Sequence, residues 1–320
     1  MKSILASLQV LTPKYKSLIF IIFACLCFSP WMSPGIALIF GLIIAFLGLN
    51  PFLRSSQKFS KQLMAWSIVG LGTTVNINMV LAEGAASFRL TVITLVMTIG
   101  GGWLIGSAMG ITKDLRALIS SGTAICGATA IAAIGETISA KKEEMSLALG
   151  VVLILNGIAI FLFPYLGHLL GLSSHDFGVW AGLAIHDTSS VVGAALQYSP
   201  DSVETATTVK LARALWIAPL ALLFAYALPN PEHKVRVKLP WFIAGFVLAA
   251  ALFSYVPFLR IYSDSVGFVA RKGFILAIFL MGTNIEIKTL RALGFKPLLF
   301  GVILWSISSI VSLVEIARVF

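Results

Sequence analysis

The chain has 320 residues, 58% hydrophobic and 11% charged, with a formal net charge of +10. An ordinary globular domain carries about 25% charged residues, so a soluble fold would expose more apolar surface than it could hide, whereas a bilayer accepts it. The basic residues stand in short clusters between apolar runs, a pattern that fits cytoplasmic loops of a membrane protein better than a nucleic-acid face.

The first apolar run follows Lys2, Lys14 and Lys16 and ends at Phe28-Ser29-Pro30-Trp31 without a small-residue cleavage site, so it reads as a retained helix rather than a signal peptide. A spanning helix needs about 20 mostly apolar residues. Spans are predicted at 17–32, 34–50, 62–82, 89–110, 144–167, 204–228, 240–257, 266–286 and 297–316. Two further segments, 115–138 and 177–197, are apolar but interrupted by Gly, Ser, Thr and ionisable residues. The fold class is therefore an all-α polytopic membrane protein with about 9–11 transmembrane segments and two interrupted helices or re-entrant hairpins. The whole chain, 1–320, reads as one integral membrane domain.

Charge bears weakly on the choice between hairpins and crossings. With the N-terminus in the cytoplasm, nine crossings and two hairpins keep every basic cluster inside, including Lys141/Lys142 and Lys234/Arg236/Lys238. Eleven full crossings misplace only Lys141/Lys142. Internal similarity points the same way. Residues 61–84 resemble 271–294, pairing Gly72-Thr73 with Gly282-Thr283, and 122–133 (GTAICGATAIAA) resemble 182–193 (GLAIHDTSSVVG). With hairpins, both pairs have opposite orientations in the membrane, the plan of many secondary transporters. The repeats would cover about 34–167 and 175–316, with their matching units in rotated order.

The candidate site follows from these interruptions. Ser120, Ser121, Thr123, Cys126 and Thr129 surround one break, where freed backbone groups are tolerated only if buried in protein or lining a cavity, and where helix N-termini favour an anion. The alternative is close packing through small residues. The partner segment holds His186, Asp187, Thr188, Ser189 and Ser190; an ionisable pair deep in an apolar segment is a functional candidate by default. Asp187 is the expected ion-coupling residue, for H⁺ or Na⁺. Lys210 and Arg213 lie three apart on the next helix, placed either to attract an anion, to pair with Asp187 or to snorkel. Gly72, Thr73, Gly282, Thr283 and Asn284 are read as helix breaks. Asn156, inside a span, is expected to bond to a neighbouring helix, and Trp31, Trp66, Trp103, Trp180 and Trp241 read as interface anchors or packing.

No His/Cys cluster has metal-ligand spacing, and the three cysteines, Cys25, Cys27 and Cys126, show no disulfide framework. No cofactor is implied. Neither a P-loop nor an HExxH or GxSxG pattern occurs, so an enzyme is not expected. The pattern leads to a secondary transporter of a small anion. The alternatives are a carrier of a small organic or neutral solute and, from other classes, an intramembrane enzyme or a passive channel.

The stretches SGTAICGATAIAAI (121–134), GLAIHDTSSVVGAA (182–195) and KLARALWIAP (210–219) together resemble a bacterial family of conserved hypothetical membrane proteins, the YeiH-type or sulfate exporter family. The resemblance covers nearly the whole chain. It implies a multi-pass protein of the bacterial inner membrane that exports an anion, a sulfur oxyanion in the family's description. It also groups the chain with bile-acid symporters and cation/proton antiporters, whose interrupted helices cross at the membrane centre. The family pattern has Asn after the arginine of KLAR; here Ala214 stands there.

Overall fold

The computed structural model describes residues 13–227, 240–284 and 294–319, and these residues form helices with no strand. In chain order the helices are α1 (Pro13–Leu26), α2 (Pro34–Leu47), α3 (Leu53–Gly72), α4 (Ile77–Ala108), α5 (Lys113–Ala124), α6 (Ala128–Thr137), α7 (Lys142–Leu169) and α8 (Ser174–Ala184). They continue as α9 (Thr188–Tyr198), α10 (Ser202–Ala214), α11 (Ile217–Ala227), α12 (Trp241–Tyr255), α13 (Pro257–Arg260), α14 (Ser263–Thr283) and α15 (Phe295–Val319). Among the described residues, five stretches are long and apolar enough to cross a membrane: α4, α7, the α10–α11 run, α14 and α15. The protein is an all-α polytopic membrane protein.

The backbone contacts divide the chain into two compact units. The first comprises the described residues of Met1–Ile77 and Trp241–Lys288. Its core gathers Phe20 of α1, Cys27 of the turn after it, Ala37 and Ile44 of α2 and Phe279 of α14. Helices α3 and α14 run antiparallel: the hydroxyl of Ser263, at the start of α14, donates to the carbonyl of Thr73, just past the end of α3, at 2.8 Å. The parts of the similar stretches 61–84 and 271–294 that lie on these two helices, 61–72 and 271–283, run in opposite directions. The Gly-Thr steps do end helices, since α3 stops at Gly72 and α14 at Thr283. The spans predicted at 62–82 and 89–110 are corrected accordingly. The chain breaks inside the first, at 73–76, and α4 then runs unbroken through the gap predicted between them. The basic residues Arg54, Lys58 and Lys61 lie on α3 itself rather than in a loop. The cluster Lys234/Arg236/Lys238, and most of the gap left between the spans predicted at 266–286 and 297–316, lie outside the described residues.

The second unit comprises the described residues of Asn78–Pro240 and Thr289–Phe320. Its frame is α7, whose 28 residues rise about 42 Å. Helices α5 and α6 fold back on each other as hairpin 1. The hydroxyl of Thr112, ahead of α5, donates to Glu144 in the first turn of α7 at 2.9 Å, so the chain leaves α6 at the level where it entered α5. Helices α8 and α9 form hairpin 2. At its open end Ser174 bonds Ser199 at 3.2 Å, and the rings of Phe177 and Tyr198 stack 3.8 Å apart. Hairpin 1 thus has its base at the start of α7 and hairpin 2 at its end. The two enter from opposite ends and stop halfway, as their arms of 10 to 12 residues require. The repeat boundaries and the unit boundaries differ, because each repeat contributes residues to both units.

Candidate functional site

The hairpin tips meet near the middle of α7. The Cβ position of Gly127, in the turn of hairpin 1, lies 3.5 Å from His186 and 3.0 Å from Val152 of α7. The backbone N–H of Asp187 donates to Asn156 Oδ1 of α7 at 3.3 Å, the neighbouring-helix bond expected of that asparagine. The turn of hairpin 1 depends on Gly127, whose φ of 64° and ψ of −119° suit glycine alone. The turn of hairpin 2 instead uses Asp187 as a helix cap. Its carboxylate accepts from the backbone N–H of Ser189 at 3.1 Å and from the Ser189 hydroxyl.

Four helix ends converge here. The C-termini of α5 and α8 present unpaired carbonyls. Lys210 and Arg213 of α10, both fully buried, take them up. The Lys210 ammonium donates to the carbonyl of Ile125 at 2.8 Å and to that of Ile185 at 2.6 Å. Ile125 and Ile185 are equivalent positions in the paired stretches 122–133 and 182–193, so one cation ties matching points of both hairpins. Arg213 Nε donates to the carbonyl of Ala124 at 2.6 Å, and its Nη2 to that of Thr123 at 3.4 Å. Helix α10 comes this close because Gly178 and Gly182 line the facing side of α8. A Cβ there would meet the carbonyls of Ser202 at 2.9 Å and Ala206 at 3.1 Å. Two of the three placements open to Lys210 and Arg213, snorkelling and pairing with Asp187, are not the ones observed. They do not snorkel, neither pairs with Asp187 at ion-pair distance among the described residues, and most of their donors cap broken helices.

The other candidates are distributed as follows. Ser121 spends its hydroxyl on the α5 carbonyls of Ala117 and Leu118. Cys126 is buried, with its sulfur against the Thr129 hydroxyl and the Ala130 N–H. Ser120, Thr123 and His186 are buried with side-chain polar atoms that have no partner. Thr188, Ser189 and Ser190 are buried in the first turn of α9, while Asp187 and Thr129 are half-buried. Gly72, Thr73, Gly282, Thr283 and Asn284 belong to the first unit. There Asn284 is bonded by Ser56 at 2.7 Å and by Asn50 at 3.4 Å. Trp305 and Ser308 of α15, absent from the sequence-based candidates, also have buried polar atoms without partners. No spacing singled them out, because a tryptophan in an apolar helix reads as packing.

Farther from the tips, at the base of hairpin 2, His175 Nε2 lies 2.8 Å from Glu83 Oε1 of α4, and Nδ1 lies 3.5 Å from Asp176. Burial works against the imidazolium, but the hydrogen bonds and charges of Glu83 and Asp176 outweigh it and raise the pKa above 6.5.

The chain has relatives along nearly its whole length. It is 43% identical over 296 residues to the UPF0324 membrane protein Bd1437 of Bdellovibrio bacteriovorus, covering 91% of each chain. It is 42% identical over 299 residues to a UPF0324 membrane protein of Shewanella oneidensis, covering 93% of this chain and 94% of the relative. With the UPF0324 membrane protein GSU2818 of Geobacter sulfurreducens it shares 38% over 297 residues, covering 93% and 95%. No solved structure matches the chain. The family model described as conserved hypothetical protein 698 matches residues 19–301, and with relatives of this similarity the chain belongs to that family, the YeiH-type membrane proteins that its tip sequences resemble.

Proposed function

We propose that the protein is a secondary carrier of a small anion, driven by a coupled H⁺ or Na⁺. The observation that carries this reading is the meeting of two hairpin tips, entering from opposite ends, around one buried ammonium. A carrier needs a polar site at mid-depth that can be reached in turn from either side, and broken helices supply one without exposing backbone to lipid. Two buried cations, Lys210 and Arg213, stand there against one half-buried carboxylate, Asp187. This balance favours an anionic guest, since a bare charge in a low-dielectric site is very costly. The proposed solute-binding groups are the polar residues of 120–129 and 186–190. Asp187 is the proposed coupling residue: protonation or Na⁺ binding would remove its opposition to the anion. The family resemblance supports a sulfur oxyanion as substrate. It also supports the bacterial inner membrane as location, while the placing of the basic clusters supports an N-terminus in the cytoplasm.

The test is uptake into proteoliposomes of purified protein. Labelled sulfate or sulfite should enter with saturable kinetics and should require a proton or sodium gradient. Linear, gradient-independent flux would make the protein a channel, and chemical conversion of the solute would make it an enzyme. Uptake of carboxylates or neutral solutes in place of oxyanions would overturn the anion assignment.

A further inference from the structure

Around the tips lie fully buried polar atoms without a hydrogen-bond partner: both ring nitrogens of His186, Nη1 of Arg213, Oγ1 of Thr123 and Nε1 of Trp305. They come from four elements, and the contacts link them in two pairs. Arg213 Nη2 reaches the carbonyl of Thr123 at 3.4 Å. The rings of His186 and Trp305 have centroids 6.2 Å apart. His186 directly follows Ile185, whose carbonyl takes the Lys210 ammonium. Native proteins rarely leave one such group unpaired, so several on facing elements mark a place that a guest completes.

The chemistry of the groups defines the guest. A guanidinium nitrogen and an indole nitrogen donate and never accept; a neutral imidazole donates once, and a threonine hydroxyl does either. The guest must therefore offer several acceptors, and with a guanidinium present an anion satisfies the set better than a neutral molecule. We infer that a small inorganic oxyanion binds among His186, Thr123, Arg213 and Trp305, so that α15 completes the site formed by the hairpin tips. The inference rests on the anion-carrier reading and names the groups that hold the anion, two of them, Arg213 and Trp305, on helices outside both hairpins.

The experiment measures equilibrium binding of sulfate, sulfite, phosphate and nitrate to detergent-purified protein by titration of its melting temperature. The proteins compared are the wild type, Trp305→Phe, His186→Leu and, as a control, Trp216→Phe. Trp305→Phe keeps a ring against Phe163, which lies 5.6 Å from Trp305 between centroids, and removes only the N–H. It decides the matter where His186→Leu fails to fold. The expected result is that an oxyanion stabilises the wild type, that Trp305→Phe weakens its binding about ten-fold, the loss of one charge-assisted hydrogen bond, and that Trp216→Phe leaves it unchanged. Oxyanion binding undiminished in Trp305→Phe would overturn this inference and leave the carrier reading standing. An absence of oxyanion binding in the wild type would overturn both.

Discussion

The two hairpins have arms of nearly equal length and meet at equivalent residues, yet their turns are built on different chemistry. At the position after the break, hairpin 1 has Gly127 and hairpin 2 has Asp187. Glycine gives hairpin 1 a sharp turn with no side chain, so α6 starts without a side-chain cap. Aspartate gives hairpin 2 a capped α9 and brings a carboxylate to the tip. The arms differ in the same sense. Every residue of α9 through Ala195 is buried, whereas α6 exposes Ala128, Ala132 and Glu136. Two hairpins of similar sequence thus share a geometry and divide their electrostatics: hairpin 1 contributes an open helix N-terminus and hairpin 2 the titratable group. Lys210 lies where the two agree, on the carbonyls of Ile125 and Ile185.

That agreement gives the largest expected effect. Lys210→Met leaves two buried carbonyls unpaired, at about 1–3 kcal/mol each. We expect a loss of about 3 kcal/mol of stability together with loss of transport. Hydrogen exchange should rise at both tips. Arg213→Met should raise it only around Thr123 and Ala124, because its bonds reach hairpin 1 alone. Equal exposure of the hairpin 2 tip in Arg213→Met would break the assignment of one shared and one private cation. Next in size is Gly127→Ala. A Cβ at φ 64° and ψ −119° is strained, and it would sit 3.0 Å from Val152. The expected cost is about 2 kcal/mol, at the upper part of the usual range for such backbone strain. A melting temperature equal to the wild type's would show that the turn of hairpin 1 does not depend on glycine.

How much of this could be read beforehand depends on the kind of signal. The tips were legible, because Gly127 and the His186-Asp187 pair break an apolar pattern in a way that lipid does not tolerate without compensation. The pairing of the two stretches was legible in their matching small residues. The targets of Lys210 and Arg213 were not. Any residue offers a backbone carbonyl, so a cation that caps a broken helix leaves no partner to find in the sequence. Trp305 was hidden for a related reason, since its role depends on which ring faces it. The span predicted at 62–82 runs across the break that the Gly72-Thr73 step marks, because Thr73, Thr74 and Asn76 sit among apolar neighbours that carry the run through a gap of four residues.

A smaller effect on stability, but a decisive one for mechanism, is expected from Asp187→Asn. Asparagine caps helices about as well as aspartate, so the melting temperature should fall by no more than an equivalent of a few tenths of a kcal/mol. Transport should lose the pH or sodium dependence of the wild type, because the variant cannot ionise. Uptake measured from pH 5 to 9 checks this. If the variant keeps the wild-type profile, the functional difference between the two turns disappears and coupling lies elsewhere.

The bases of the hairpins extend the contrast and give the smallest effect. Hairpin 1 is closed by a Thr112–Glu144 hydrogen bond, in which a hydroxyl is the donor, whereas the base of hairpin 2 carries His175 between Glu83 of α4 and Asp176. The pKa of His175 in the folded protein lies above its ordinary 6.5. Its contribution is therefore fully present below that ordinary value and is lost as pH rises through the raised one. His175 is more than a third exposed, so solvent screens the pair and the contribution is a few tenths of a kcal/mol. Replacing it by Gln should lower the melting temperature slightly at pH 5.5 and leave it unchanged at pH 9, whereas Thr112→Val should act equally at both. A pH-independent difference between His175→Gln and wild type would mean that the imidazole serves hairpin 2 by packing, with no charge in play, and the two bases would then differ only in shape.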